Sequence, residues 1–292
     1  MTALLPPGKL LRDSTAFFTF TTSGFGDLVR NLHASLVEGD PEPREGPGRV
    51  LPGPRDRRGV LEVGITAVSC DVAGLPEATE FEAAGFGRVV AHKYLLARRL
   101  LHEAQFAWWC DGDIVVTEPI VDRVLTEMDR TQCDMLTQYE WPKDVHNTGF
   151  WIVRSGAGVD RMLAEMADHT MRTDSDDQVH FNETQLGRDD LRVAALDHDE
   201  FACGNRFYHR TLFRRPSAPV LHFNYFLGRE TKRLLMMEHG RWYLPEPRIS
   251  RIRAGLRYEL RALRKKAGIL RRSRAVTTLR RRAAHMRRRA AG

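Results

Sequence analysis

Two aspartates separated by one glycine, Asp111-Gly112-Asp113, follow directly on the apolar run FAWWC at Phe106–Cys110. Alternate residues of a regular strand point to opposite faces, so these carboxylates can share an ion only if the backbone turns, and Gly112 permits the turn. Hard carboxylate oxygens suit Mg2+ or Mn2+, which bind through one or two protein carboxylates and take further ligands from substrate phosphates. Asp111 and Asp113 are therefore candidate metal ligands, and an ion there would meet the charge that grows on a departing diphosphate. An acidic surface turn has the same appearance, but the position after a buried strand at mid-chain favours the metal.

Farther on, the stretch VLHFNYF beginning at Val220 is an apolar strand interrupted by His222. A neutral imidazole is a common metal ligand, and a chain that returns to the acidic turn brings His222 in as a third; a satisfied core histidine is the alternative. Gly228 lets backbone approach a phosphate closely, and Lys232 offers a point charge for it at the start of a helical stretch. His146-Asn147-Thr148-Gly149, placed just before the strand FWIV, carries groups suited to sugar hydroxyls or to an ordinary turn. Asp176-Asp177-Gln178, with Asn182 one helical turn beyond, sets Gln178 and Asn182 on one helix face. One of the two aspartates serves as the N-cap and the other is free for chemistry.

The elements that must position these groups alternate. AFFTFTT, at Ala16–Thr22, is a strand; a glycine turn follows, and Asp27 caps a helix with Leu28, Leu32 and Leu36 at helical spacing. Val60–Ser69 is a second strand, ending at Cys70 and Asp71. Helices are expected around Lys93–Glu103, Ile120–Arg130 and Val159–His169, with strands at 106–110, 114–116, Met135–Gln138 and Gly149–Arg154. This alternation predicts a doubly wound α/β layer. Residues 40–59, dense in Pro, Gly and charge, are expected to form an exposed loop.

Taken in order, TTSGFGDLVRNLHASL, KYLLARRLL, WWCDGDIVV, DMLTQYE, HNTGFWIVRSG, DDQVHFN and the run from His222 to Lys232 resemble the GT-A nucleotide-sugar glycosyltransferases. The chain is most similar to the rhamnogalacturonan xylosyltransferase-like group, over roughly Phe17–Trp242. The resemblance implies a GT-A fold, a Rossmann-like, mostly parallel central sheet with flanking helices. It also implies retaining transfer from a nucleoside-diphosphate-sugar, a UDP-sugar first among them, to a glycan, lipid-linked or small-molecule acceptor. By the same resemblance Asp111, Asp113 and His222 hold Mn2+ or Mg2+. Thr21, Thr22 and Asp71 line the nucleotide, Lys93 faces the donor, and Asn147, Thr148 and Gly149 line the sugar. Asp177 and Gln178 flank the anomeric carbon, and Gly228 and Lys232 approach the diphosphate. The Pro-rich loop at 40–59 and the basic C-terminal tail at 248–292 depart from the family pattern.

The bulk properties set the frame. The net charge of +7 divides unevenly: residues 248–292 hold seventeen Lys or Arg against the single acid Glu259, a net +16, while the remainder carries −9. The tail repeats Ile249, Ile252, Leu256, Leu260, Leu263, Ala267 and Leu270 at intervals of three and four, a basic amphipathic helix that suits an anionic membrane surface or a cover over the catalytic body. The domain reading is thus a catalytic unit at 1–247 and a tail at 248–292. Four scattered cysteines fit neither a disulfide scaffold nor a zinc site. No apolar stretch is long enough to span a bilayer, and the opening MTALLPPGKLLRD has prolines where a signal peptide needs an unbroken apolar run. The expected setting is cytoplasmic, or peripheral on the inner face of a membrane. A metal-dependent nucleotidyltransferase, a transferase-like fold without activity, and a nucleic-acid-binding protein acting through the tail are the rival readings. The last leaves the acidic body and the D-x-D without a purpose.

Overall fold

The five side chains of FAWWC are all buried, and they divide between two apolar layers. In the computed structural model the described residues are 15–19, 25–38, 84–140, 143–203, 218–224, 226 and 228–245. The expected strand at Val60–Ser69, the loop at 40–59, the tail at 248–292 and the candidates Thr21, Thr22 and Asp71 lie outside them. The strands are β1 (Thr15–Phe18), β2 (Phe106–Cys110), β3 (Ile114–Val116), β4 (Met135–Glu140), β5 (Val145–Arg154), β6 (Val193–Ala195), β7 (Phe201–Cys203) and β8 (Val220–His222). The helices are α1 (Gly26–Glu38), α2 (Phe86–Leu100), α3 (Val121–Thr131), α4 (Ala157–Thr173), α5 (Asp177–Thr184) and α6 (Arg229–Glu238).

The main sheet has the order β1-β2-β5-β4-β6. β1 runs parallel to β2 and β4 parallel to β6, while β5 is antiparallel to both β2 and β4, so four of the five strands share one direction. Alternation along the strands sorts the core. Ala107, Trp109, Trp151 and Val153 face α2, α4 and α5, whereas Phe106, Trp108, Cys110, Phe150 and Ile152 face α1 and α3. The result is the expected α/β architecture, a mostly parallel sheet between helices. Leu28, Leu32 and Leu36 are all buried, as their spacing requires.

A smaller sheet, β3-β8-β7, sits beside the main one, with β8 antiparallel to β3 and parallel to β7. Val115, Leu221, Phe223, Leu235 and Met236 form its core with Leu28. Of the boundaries that differ from the sequence reading, two have an identifiable cause. Helix α2 begins at Phe86, well before Lys93, because Asp174 of the α4 C-terminus supplies its cap: the Asp174 carboxylate accepts from Gly85 N–H (2.7 Å) and Gly87 N–H (2.6 Å). His146–Gly149 lies inside β5 rather than before it. Pairing with β4 runs through Glu140↔Val145, Tyr139↔His146 and Gln138↔Asn147, then shifts register between Gln138 and Thr137. This irregularity breaks the two-residue alternation that marks a strand in sequence.

Candidate active site

The acidic turn is built by the two sheets together. β2 ends at Cys110, and Asp111 N–H donates to Gly149 O (2.7 Å), carrying the β2–β5 ladder one residue further. Ile114 N–H donates back to Asp111 O (3.2 Å), closing the turn. β3 starts at once, and its pairing with β8 sets Ile114 opposite His222. Phe223 N–H then donates to Asp113 O (3.1 Å). Register alone thus carries His222 to the acidic turn from more than a hundred residues away in sequence.

The result is a trio. Asp111, Asp113 and His222 present one ligand atom each, all within 4.8 Å of one another. His222 Nε2 lies 3.6 Å from Asp111 Oδ2 and 3.3 Å from Asp113 Oδ1. Burial opposes a charge on the His222 ring, but the Asp113 and Asp111 carboxylates prevail and lift its pKa to about 9. Burial likewise opposes the Asp113 anion, yet Lys232 and His222 hold its carboxyl well below the usual range. Lys232 Nζ donates to Asp113 Oδ2 at 2.6 Å.

Four observations fit this trio to a cation. His222 Nδ1 meets Gln138 Oε1 at 2.8 Å, and the Gln138 amide is itself fixed by Nε2–H donating to Phe201 O (2.9 Å). Because Gln138 offers an acceptor, Nδ1 keeps its proton, and an ion between the carboxylates would take the Nε2 lone pair in place of the Nε2 proton, the arrangement that orients a metal-binding imidazole. His222 Nε2 is buried and has no hydrogen-bond partner among the described residues. Gly149 leaves the space clear: a Cβ there would lie 2.4 Å from His222 Cε1 and 2.5 Å from Asp111 Oδ2. Trp109 Nε1–H donates to Asp111 Oδ1 (2.8 Å), which leaves Oδ2 for the ion.

Next to the trio lies a second buried group. Asp177 pairs with Lys93 Nζ at 2.5 Å and accepts a very short hydrogen bond from Tyr94 Oη–H. Burial, and then the Asp177 carboxylate, keep the Tyr94 phenol protonated by raising its pKa well above the ordinary value. Lys93 Nζ also donates to Thr148 O (3.0 Å) and lies over the rings of Tyr94 and Trp109, at 5.1 and 5.8 Å. Asp176 is the α5 N-cap, its carboxylate accepting from Gln178 N–H (2.9 Å), which leaves the Asp177 side chain to Lys93 and Tyr94. Asn147 Nδ2 donates to Glu140 Oε1 (2.7 Å) and Gln178 Oε1 (2.9 Å), and Asn147 Oδ1 accepts from Gly149 N–H (2.8 Å). Asn182 binds His146 through both its main-chain groups, fastening α5 to β5. Gly228, at φ 81°, begins α6, and its carbonyl accepts from Lys232 N–H (3.2 Å).

The described candidates Lys93, Asp111, Asp113, Asn147, Thr148, Gly149, Asp177, Gln178, His222, Gly228 and Lys232 therefore form one linked group, joined through these contacts. Sequence reasoning missed Gln138, Glu140, Tyr94 and Trp109 as contributors. The polar residues of DMLTQYE were the available signal: Gln138 and Glu140 are buried, which a half-solvated strand does not ask of a Gln or Glu.

The nucleotide-diphospho-sugar transferase family profile matches residues 61–236, more than half of the chain. No curated protein sequence matches. Among solved structures, similarity is partial. A glycosyltransferase involved in glycosylation of the major capsid of PBCV-1 is 13% identical and covers 53% of this chain and 78% of its own, at a TM-score of 0.39. Mouse xyloside xylosyltransferase 1, in its apo form, is 13% identical over 50% and 67%, at 0.34. The glycosyltransferase GlyE of Streptococcus pneumoniae TIGR4 is 16% identical over 61% and 45%, at 0.36.

Proposed function

Since the chain belongs to the nucleotide-diphospho-sugar transferase family, and so acts in sugar transfer, we propose that it is a divalent-metal-dependent glycosyltransferase whose donor is a UDP-sugar. The observation that carries the metal reading is the trio, with an orphaned, buried His222 Nε2 aimed at two carboxylates across the space that Gly149 keeps open. Carboxylate oxygens alone suit Mg2+; adding an imidazole nitrogen moves the preference toward Mn2+. When bound, the ion supplies positive charge against the diphosphate and a fixed point for its orientation.

The chain's own residues account for the rest. Lys232 lies 20% exposed beside Asp113, a cation within reach of an incoming phosphate. Lys93 and Tyr94 hold Asp177 in one orientation in a water-poor pocket, where an oxocarbenium-like centre is stabilised by a fixed negative group. That environment suits transfer with retention, with Asp177 as ion-pair stabiliser or nucleophile. Similarity to the xylosyltransferase-like group is part of the same proposal, as is an acceptor of glycan or lipid-linked type.

The test is release of UDP from a panel of UDP-hexoses and UDP-pentoses, with Mn2+ and then with excess chelator. Turnover that needs Mn2+ and vanishes in Asp113→Ala, while the variant keeps its circular dichroism, is the expected result. Undiminished turnover in chelator contradicts it.

A further inference from the structure

Glu140, at the end of β4, is a carboxylate only 2% exposed, and no role for it follows from the ion or from the Lys93–Asp177 pair. Its Oε1 accepts from two amides, Asn147 Nδ2 (2.7 Å) and Asn224 Nδ2 (2.8 Å), joining β5 to the residue two places beyond His222.

The hydrogen bonds around Asn147 determine which end of each amide is which. Gly149 N–H is a backbone donor, so the Asn147 atom it meets at 2.8 Å must be the oxygen. The other end of Asn147 is then its NH2, with two protons to place. One goes to Glu140, whose carboxylate accepts; the second goes to Gln178 at 2.9 Å, which must therefore present its oxygen. The far end of Gln178 is Nε2–H2, and among the described residues no acceptor meets it.

We propose that Glu140 is a positioning residue which, through Asn147, locks the Gln178 amide with its NH2 free, so that Gln178 serves transfer as a hydrogen-bond donor to an oxygen of the bound donor sugar and not as a nucleophile. The amide borders the trio through Asn147. Asn147 Oδ1 lies 3.0 Å from the position of a Cβ on Gly149, the same position that lies against His222 and Asp111. For Gln178 Oε1 to turn toward a reacting carbon, Asn147 would lose an acceptor inside the protein, where an unpaired amide is expensive. The inference rests on the sugar-transfer reading and adds to it the direction of one hydrogen bond.

Gln178→Glu separates the two roles. A glutamate oxygen still accepts from Asn147 but has no N–H to give. The expected result is a fall in kcat of about 100-fold, the scale of losing one donor to a developing charge, with KM for the UDP-sugar changed only a few-fold. Equal or faster turnover overturns the proposal, because a carboxylate is the better nucleophile. Glu140→Ala is expected to lower kcat similarly, and Glu140→Gln, whose oxygen can still accept from both amides, to recover most of it; no recovery counts against the positioning role. Side-chain amide NMR gives an arm independent of turnover. The Asn147 NH2 protons are expected to exchange slowly with solvent in the wild type and quickly in Glu140→Ala, and fast exchange in the wild type refutes the lock. If the wild type releases no UDP from any sugar nucleotide while the NH2 is protected, the functional reading has failed and the amide geometry stands.

Discussion

Single atoms decide whether the trio can hold an ion. Gly149→Ala places a methyl group 2.4 Å from His222 Cε1 and 2.5 Å from Asp111 Oδ2, so both ligands must move. Overpacking of this kind destabilises by about 1–3 kcal/mol. The expected outcome is a folded protein with a lowered melting temperature that no longer binds Mn2+ in a calorimeter; wild-type Mn2+ affinity contradicts it. Gln138→Leu removes the acceptor that fixes the His222 tautomer, and a loss of about 10- to 100-fold in Mn2+ affinity is expected. Of these atoms the sequence displayed the carboxylates and the imidazole plainly, since D-G-D and a lone His in an apolar strand stand out. Gln138 and Glu140 were hidden: a polar residue on every second position of a strand reads as a solvated face. Only the packing of β7 and β8 against them makes the environment a buried one.

At the scale of elements, the site depends on β8 lying against β3 and on α5 fastened to β5, neither of which is a local property of sequence. Alternation of apolar strands and helices made the α/β layer legible, and FAWWC and IVV were placed to the residue. The start of α2 was not, because its cap is a side chain 87 residues away, Asp174. This junction makes its own prediction. A Cβ at Gly87 would lie 2.5 Å from Thr170 O and 2.6 Å from Asp174 Cα, backbone atoms that cannot swing aside. Gly87→Ala is expected to force α2 and α4 apart and to destabilise by about 1–3 kcal/mol, read as a lowered urea midpoint. An unchanged midpoint would show that the two helices do not pack as described. The irregularity between Thr137 and Gln138 concealed the first half of β5 in the same way, since two-residue alternation fails where the ladder slips.

For the molecule as a whole, charge and protonation set the conditions of use. Burial, against a weaker pull from Asp144, depresses the His146 pKa below its ordinary value. The unfolded chain therefore takes up this proton at a higher pH than the fold does. The stability held by a neutral His146 is complete above about pH 6.5 and is lost as pH falls below it. Urea midpoints of the wild type and His146→Gln are expected to differ more at pH 7.5 than at pH 5.5; an equal gap at both rules this out. Among the described residues no helix is long and apolar enough to cross a membrane. The segment 248–292, with a net charge of +16 against −9 for the rest, is proposed as the contact with an anionic membrane surface. Full-length protein is expected to partition to vesicles containing acidic lipid, and equal partition to neutral vesicles at low salt contradicts that. The central claim remains that Asp111, Asp113 and His222 hold one divalent ion beside a diphosphate. Calorimetric titration of Mn2+ into chelator-treated protein with UDP present tests it most directly. One ion per wild-type chain and none at this affinity in Asp113→Ala is the expected result; the same binding in both, or in neither, contradicts it.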